Sequence, residues 1–255
     1  MKRIVVKVGS AVLTENDGIA LKRMQNLVDL INDLSDMYEV ILVSSGAVAA
    51  GYTRLSLDRS EVQNKQALAA IGQPHLMELY NRKFAKYEKI CAQVLVTAAN
   101  FHSRSQADRI KSTVDTLIAN GVVPIVNEND VTATDELVVG DNDQLSAYTA
   151  NAVDAEMLLI LSDIDAYYDH DPRTHDDAKI LKEVSIISDE ELSREASPHG
   201  TFATGGIVTK LKAANYMLEH GRSMFLGSGF DLSDTKAYLL DGTHKGGTLF
   251  TTKVG

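Results

Sequence analysis

Short strand-like runs that are apolar at consecutive positions constrain this chain more than any other feature. They fall at Arg3–Val8, Val40–Val43, Ile90–Thr97, Val122–Val126, Met157–Leu161 and Ser223–Leu226. A strand with one wet face alternates apolar and polar residues, whereas several of these runs do not alternate. They fit parallel strands covered on both faces. Between them lie stretches with helical spacing: Lys22–Met37, Val62–Ile71, Leu76–Tyr87, Asp108–Asn120, Gln144–Ala152 and Ile207–His220. In the first, Met24, Leu27, Val28, Ile31 and Leu34 recur every three or four residues and mark one buried stripe. Strand–helix alternation predicts an α/β fold, a three-layer αβα sandwich around a central, mostly parallel sheet. Ligands of such sheets bind beyond the carboxyl ends of the strands, so the residues following each run are the ones to inspect.

With 255 residues, four prolines and no linker-like or repetitive tract, one continuous domain over residues 1–255 is expected. The net charge of −10 disfavours general affinity for nucleic acid or anionic lipid. Any anionic ligand must then be met by a few locally placed cations. The single cysteine, Cys91, excludes an intramolecular disulfide and reads as a small buried residue. The N-terminus opens on a strand rather than on a signal region, and no apolar run reaches membrane-spanning length. A cytoplasmic location without membrane contact is expected.

The first strand runs into Lys7-Val8-Gly9-Ser10. A lysine in an otherwise apolar strand is costly to bury unless an anion meets it, the alternative being an edge strand with Lys7 in water. The second strand ends in Ser44-Ser45-Gly46-Ala47-Val48-Ala49-Ala50-Gly51. A serine cap followed by small residues lets an anion approach free backbone N–H groups, or simply starts a closely packed helix. Asn127-Glu128-Asn129-Asp130 follows the fourth run and reads either as substrate contacts, with Asp130 meeting an ammonium, or as a polar surface turn. In Gly140-Asp141-Asn142-Asp143, Asp143 stands near a helix start and can be a ligand residue or a cap.

Ser162-Asp163 closes the fifth run, and Asp171-Pro172-Arg173 lies in a charged loop. Thr204-Gly205-Gly206-Ile207-Val208-Thr209-Lys210 joins a glycine-rich turn to a helix, where backbone N–H groups and a lysine can hold phosphate. Neither a Walker A loop nor a dinucleotide fingerprint is present. Two lysines (Lys7, Lys210), an acid (Asp143) and glycine-rich turns suit phosphoryl transfer, which needs positioned cations and little covalent chemistry. A carboxylate acceptor, ionised well below pH 7 with a reference value of ~4.3, would need no general base. No obvious histidine-based catalytic pair is present, and histidines 75, 102, 175, 199 and 244 read as anything from surface residues to ligand contacts.

On these segments, together with Leu145-Ser146-Ala147 and Thr209-Lys210-Leu211, the chain resembles the amino acid kinase family over nearly its whole length. Asn127–Asp130 and Gly140–Asp143 place the resemblance in the branch that acts on glutamate, apart from the acetylglutamate, aspartate, carbamate and uridylate kinases. The resemblance implies ATP-dependent phosphorylation of the side-chain carboxylate of L-glutamate to glutamyl 5-phosphate, the first step of proline synthesis. A sister kinase for another small acid, or a silent ligand-binding module on the same fold, are the alternatives.

By resemblance, Lys7 and Lys210 stabilise the moving phosphoryl and Asp143 positions them. Ser45, Asp130 and Asn142 bind glutamate. Lys7, Ser162, Asp163, Thr204, Gly205, Gly206, Ile207, Val208, Thr209 and Lys210 bind ATP, with Mg²⁺ carried mainly by its phosphates. Residues of about 155–255 would form the nucleotide part and the N-terminal portion the substrate part. A homodimer or homotetramer is implied, with hand-off to glutamate-5-semialdehyde dehydrogenase. The chain departs from the family's usual wording at Ser162, where threonine is common, and at Ala166-Tyr167-Tyr168. The C-terminal PUA domain of many bacterial members is not expected.

Overall fold

A computed structural model describes residues 1–16, 18–133, 142–193 and 206–252. The strands are β1 (Lys2–Val8), β2 (Thr14–Glu15), β3 (Gly18–Ile19), β4 (Tyr38–Ser44), β5 (Cys91–Val96), β6 (Val123–Glu128), β7 (Met157–Ser162), β8 (Glu183–Val184), β9 (Ser223–Ser228) and β10 (Thr248–Phe250). The helices of the first half are α1 (Ser10–Leu13), α2 (Leu21–Leu34), α3 (Ala47–Tyr52), α4 (Val62–Phe84), α5 (Ala98–His102) and α6 (Arg104–Ala119). Those of the second half are α7 (Asp143–Ala152), α8 (Asp189–Ser193), α9 (Gly206–Glu219) and α10 (Ser233–Asp241).

Among the described residues the main sheet has eight strands in the order β5-β6-β4-β1-β7-β9-β10-β8. All neighbours run parallel except β9 and β10. The expected mostly parallel sheet is therefore present, with helices on both faces. Val5 packs on the face covered by α7 and α9, through Leu145, Ala150, Leu211 and Met217. Ile4, Val6 and Val8 pack on the other face, beneath α2, α4 and α10. Side chains alternate along a strand, so Lys7 shares the face of Val5 and points toward α7 and α9.

After β1 the chain builds one half of the sheet through β4, β5 and β6, then crosses to β7 on the other side of β1. The carboxyl end of β1 lies at this reversal of strand order, where an α/β sheet opens a crevice.

The stretch expected as two helices around Pro74 is one, α4, followed by a 3-10 turn at Ala85–Tyr87. An interior proline costs ~3 kcal/mol. Leu76, Tyr80 and Phe84 are fully buried on the stripe continuing past it, each contributing about 1.5–3 kcal/mol, so packing outweighs the proline. The same helix crosses α3 at two glycines. A Cβ on Gly72 would lie 1.8 Å from the Ala47 carbonyl oxygen, and one on Gly51 1.9 Å from that of Leu68. No side chain but hydrogen allows this approach.

Candidate active site

The burial of Lys7 is complete, and its anion is Asp143. Lys7 Nζ donates to Asp143 Oδ1 at 2.6 Å, and Lys210 Nζ donates to Asp143 Oδ2 at 3.0 Å. Thr209 Oγ1 donates to the same Oδ2 at 2.9 Å, and Lys210 also donates to the Gly206 carbonyl at 3.0 Å. Three elements supply this cluster: β1 gives Lys7, the first position of α7 gives Asp143, and α9 gives Thr209 and Lys210. Asp143 lies where the N-terminal end of a helix favours negative charge, so dipole and ammonium groups face its carboxylate together. The edge-strand alternative for Lys7 is excluded, since β1 is flanked by β4 and β7.

The turn after β4 is built differently from the serine cap expected. Gly46 occupies the cap position of α3 with φ of +101°, and no side chain caps the helix. Ser44 instead sits within 2.8 Å of the Tyr80 hydroxyl. Burial drives the Tyr80 pKa far up, so the phenol keeps its proton. Glycine meets the left-handed backbone at little cost, leaving the first N–H groups of α3 open.

Asn127 and Glu128 do not form a surface turn. They complete β6 and are buried, and only Asn129 and Asp130 follow the strand. Asn142 Nδ2 donates to the Ser44 carbonyl and to Asn127 Oδ1, both at 2.9 Å. Asn127 Nδ2 donates in turn to Gln73 Oε1 at 2.8 Å, and Gln73 to Gln93 at 3.0 Å. This amide chain fixes the ends of β4 and β6 to α4 and to the residue preceding Asp143. A satisfied buried network of this kind specifies one arrangement.

Two cavities open beside the cluster. One, of about 330 Å³, is lined by Ser10, Ser45, Arg59, Lys65, Asp130 and Asn142, among others. It brings together the three residues expected to hold glutamate. The other, of about 560 Å³, is lined by Asp163, Asp165, Tyr168, Arg173, Gly206 and Ile207, among others. Asn142 of the first cavity precedes Asp143, and Gly206 of the second accepts from Lys210. The cluster thus bridges both.

Around the larger cavity, Asp171 accepts from the backbone N–H and the guanidinium of Arg173, at 2.9 and 3.1 Å, and shapes the loop. Burial and the neighbouring Asp165 push the Tyr168 phenol up to about 12, so it stays a donor to that carboxylate at 3.1 Å. Asp163 is exposed to the cavity, while Ser162 turns inward, accepting from the Ile164 N–H and donating to Asp163. Val208 buries its side chain in the core. Thr204 and Gly205 lie outside the described residues, as do Gly140, Asp141 and His199. Among the described residues no histidine lines either cavity.

Arg59 and Lys65 were not singled out by the sequence, where they stand in an ordinary polar turn and helix start. Their place in the site is made by tertiary structure. Arg59 stacks 4.1 Å over the Tyr52 ring, and Gln66 Nε2 donates to the Val131 carbonyl at 3.3 Å, joining the start of α4 to the segment after Asp130.

Among the described residues no three His, Cys, Asp or Glu side chains gather to hold a metal. With Asp143 engaged by two ammonium groups, a divalent cation fits here as the companion of a nucleotide's phosphates and not as a resident of a protein cage. No helix among the described residues is long and apolar enough to cross a membrane.

The model of the amino acid kinase family matches residues 2–228. Glutamate 5-kinase of Leishmania donovani is 51% identical over 254 residues, covering 100% of this chain and 97% of that protein. Glutamate 5-kinase of Wolinella succinogenes is 51% identical over 255 residues, covering 98% of each. Carbamate kinase from Giardia lamblia, solved bound to AMP-PNP, superposes with a TM-score of 0.67 at 18% identity, covering 99% of both chains. That last likeness is one of fold.

Proposed function

The chain belongs to the amino acid kinase family, in its glutamate 5-kinase branch, and from that premise we propose how its site works. It transfers the γ-phosphoryl of ATP to the side-chain carboxylate of L-glutamate. The observation that carries this reading is the buried Lys7–Asp143–Lys210 cluster lying between two cavities.

Glutamate occupies the smaller cavity, with its side-chain carboxylate toward Asn142 and the cluster and its amino acid head toward Asp130. ATP occupies the larger one, with its phosphates toward Gly206 and Lys210. A carboxylate oxygen attacks the γ-phosphorus as the bond to the β,γ-bridging oxygen breaks, giving an acyl phosphate and ADP. The acceptor enters as an anion, so no base has to remove a proton. Asp143 already accepts from two ammonium groups and a hydroxyl, which suits positioning rather than proton transfer. Lys7 and Lys210 approach from different elements and spread positive charge over the moving group, where a water-poor site makes it most effective. Mg²⁺, arriving with ATP, would neutralise phosphate charge.

The acyl phosphate hydrolyses readily, so closure of the site against water protects it. We place the reaction at the first step of proline synthesis, in the cytoplasm, with the product consumed by a reductase of the glutamate-5-semialdehyde dehydrogenase type. Family membership supports a homodimer or homotetramer of single-domain chains.

The test is hydroxylamine trapping with Mg²⁺-ATP and, in parallel, L-glutamate, N-acetylglutamate, aspartate or no acceptor. Hydroxamate formed with glutamate is the expected result. Hydroxamate with another acid alone would keep the fold and chemistry but reassign the substrate.

A further inference from the structure

The smaller cavity holds a cation that the reaction described so far does not use. Lys65 lines it, half-buried, from the first turns of α4. Among the described residues its ammonium has no hydrogen bond or ion pair. Lys2, Lys86 and Lys236, which are more exposed, each pair with a carboxylate, as does the half-buried Lys111. The other cation of the cavity, Arg59, has its guanidinium laid over Tyr52.

Glutamate brings three charges. The side-chain carboxylate belongs beside Lys7 and Lys210, and the ammonium pairs with Asp130, which leaves the α-carboxylate. Lys65 lines the same cavity as Asp130, and its neighbour Gln66 is tied to Val131, next to Asp130, so the two side chains are supplied by segments fixed to each other. Resting on the glutamate reading, we propose that Lys65 receives the α-carboxylate and, with Asp130, clamps the amino acid head. It acts as a specificity-determining residue for free α-amino acids. An ammonium matched only by substrate discriminates because an analogue lacking the carboxylate leaves it without a partner.

The test compares L-glutamate with its α-amide, in which only the α-carboxylate is neutralised, as acceptors for the wild type, Lys65→Met and Lys65→Arg. For the wild type the α-amide should show a KM about ten- to a hundredfold above that of glutamate. Lys65→Met should raise the glutamate KM by a similar factor and the α-amide KM far less, so that discrimination collapses while the KM for ATP and the melting temperature hold. Lys65→Arg, which keeps the charge, should retain most of the discrimination. Equal losses for both acceptors, no loss for either, or an arginine variant as indiscriminate as the methionine one would overturn the assignment. A wild type that forms no hydroxamate from glutamate would instead remove the parent reading, and the clamp with it.

Discussion

Lys7 shows how far a single residue can be read. Its position in an apolar run announces either water or an anion, and the structure supplies Asp143 at 2.6 Å. The identity of that anion was less legible, because Asp143 also suits a plain helix start. Only the meeting of β1, α7 and α9 decides between the two. Lys210 is the cleaner residue to remove, since Asp143 keeps Lys7 and Thr209 without it. Lys210→Ala should lower kcat by about a hundred- to a thousandfold, in a protein whose circular dichroism matches the wild type. Near-normal kcat would take Lys210 out of the reaction. Cys91, read from the sequence as a buried bystander, has its thiol pushed up to about 11 by burial. Alkylation by iodoacetamide at pH 9 should be at least tenfold slower in the folded protein than in urea, since the thiolate is the reactive form. The unfolded chain releases this proton at lower pH than the folded one. The contribution of Cys91 to stability is therefore complete below about pH 9 and declines as the pH rises toward 11.

At the scale of elements, the long strands and helices were legible because periodicity needs several turns or alternations to speak. The hairpin strands β2 and β3 and the short β8 and β10 have two or three residues each and carry no such signal. The serine run after β4 misled for another reason. Capping by serine and a left-handed glycine are both compatible with Ser44-Ser45-Gly46, and the pull of Tyr80 on Ser44 is a tertiary fact. Pro74 likewise spoke for a break that Leu76, Tyr80 and Phe84 overrule. The crossing of α3 and α4 deserves a direct probe, because it brings the start of α4, with Lys65, over the turn that carries Ser45. Gly72→Ala places a methyl against the Ala47 carbonyl and should destabilise the protein by about 1–3 kcal/mol, measured by urea denaturation. The same variant should raise the KM for glutamate more than that for ATP. An unchanged denaturation midpoint would show that the two helices separate at no cost.

For the whole molecule, the reversal of strand order around β1 explains why residues from positions 7, 45, 130, 143 and 210 meet at one edge of the sheet. The sheet class and its ligand edge followed from uninterrupted apolar runs, and the division into substrate and nucleotide residues from the family resemblance carried by the segments just after them. The contribution of Arg59 and Lys65 did not, because α4 folds back over the crevice by a route that local pattern cannot express. The proposed reaction turns on a carboxylate oxygen as the acceptor, and isotope transfer tests that atom itself. Glutamate labelled with ¹⁸O in its side-chain carboxylate is incubated with Mg²⁺-ATP and hydroxylamine, and the released inorganic phosphate is analysed by mass spectrometry. Attack by the carboxylate followed by hydroxylamine at the acyl carbon leaves one labelled oxygen in each phosphate, which is the predicted result. Unlabelled phosphate from a glutamate-dependent reaction would mean that the phosphoryl group never reached the carboxylate.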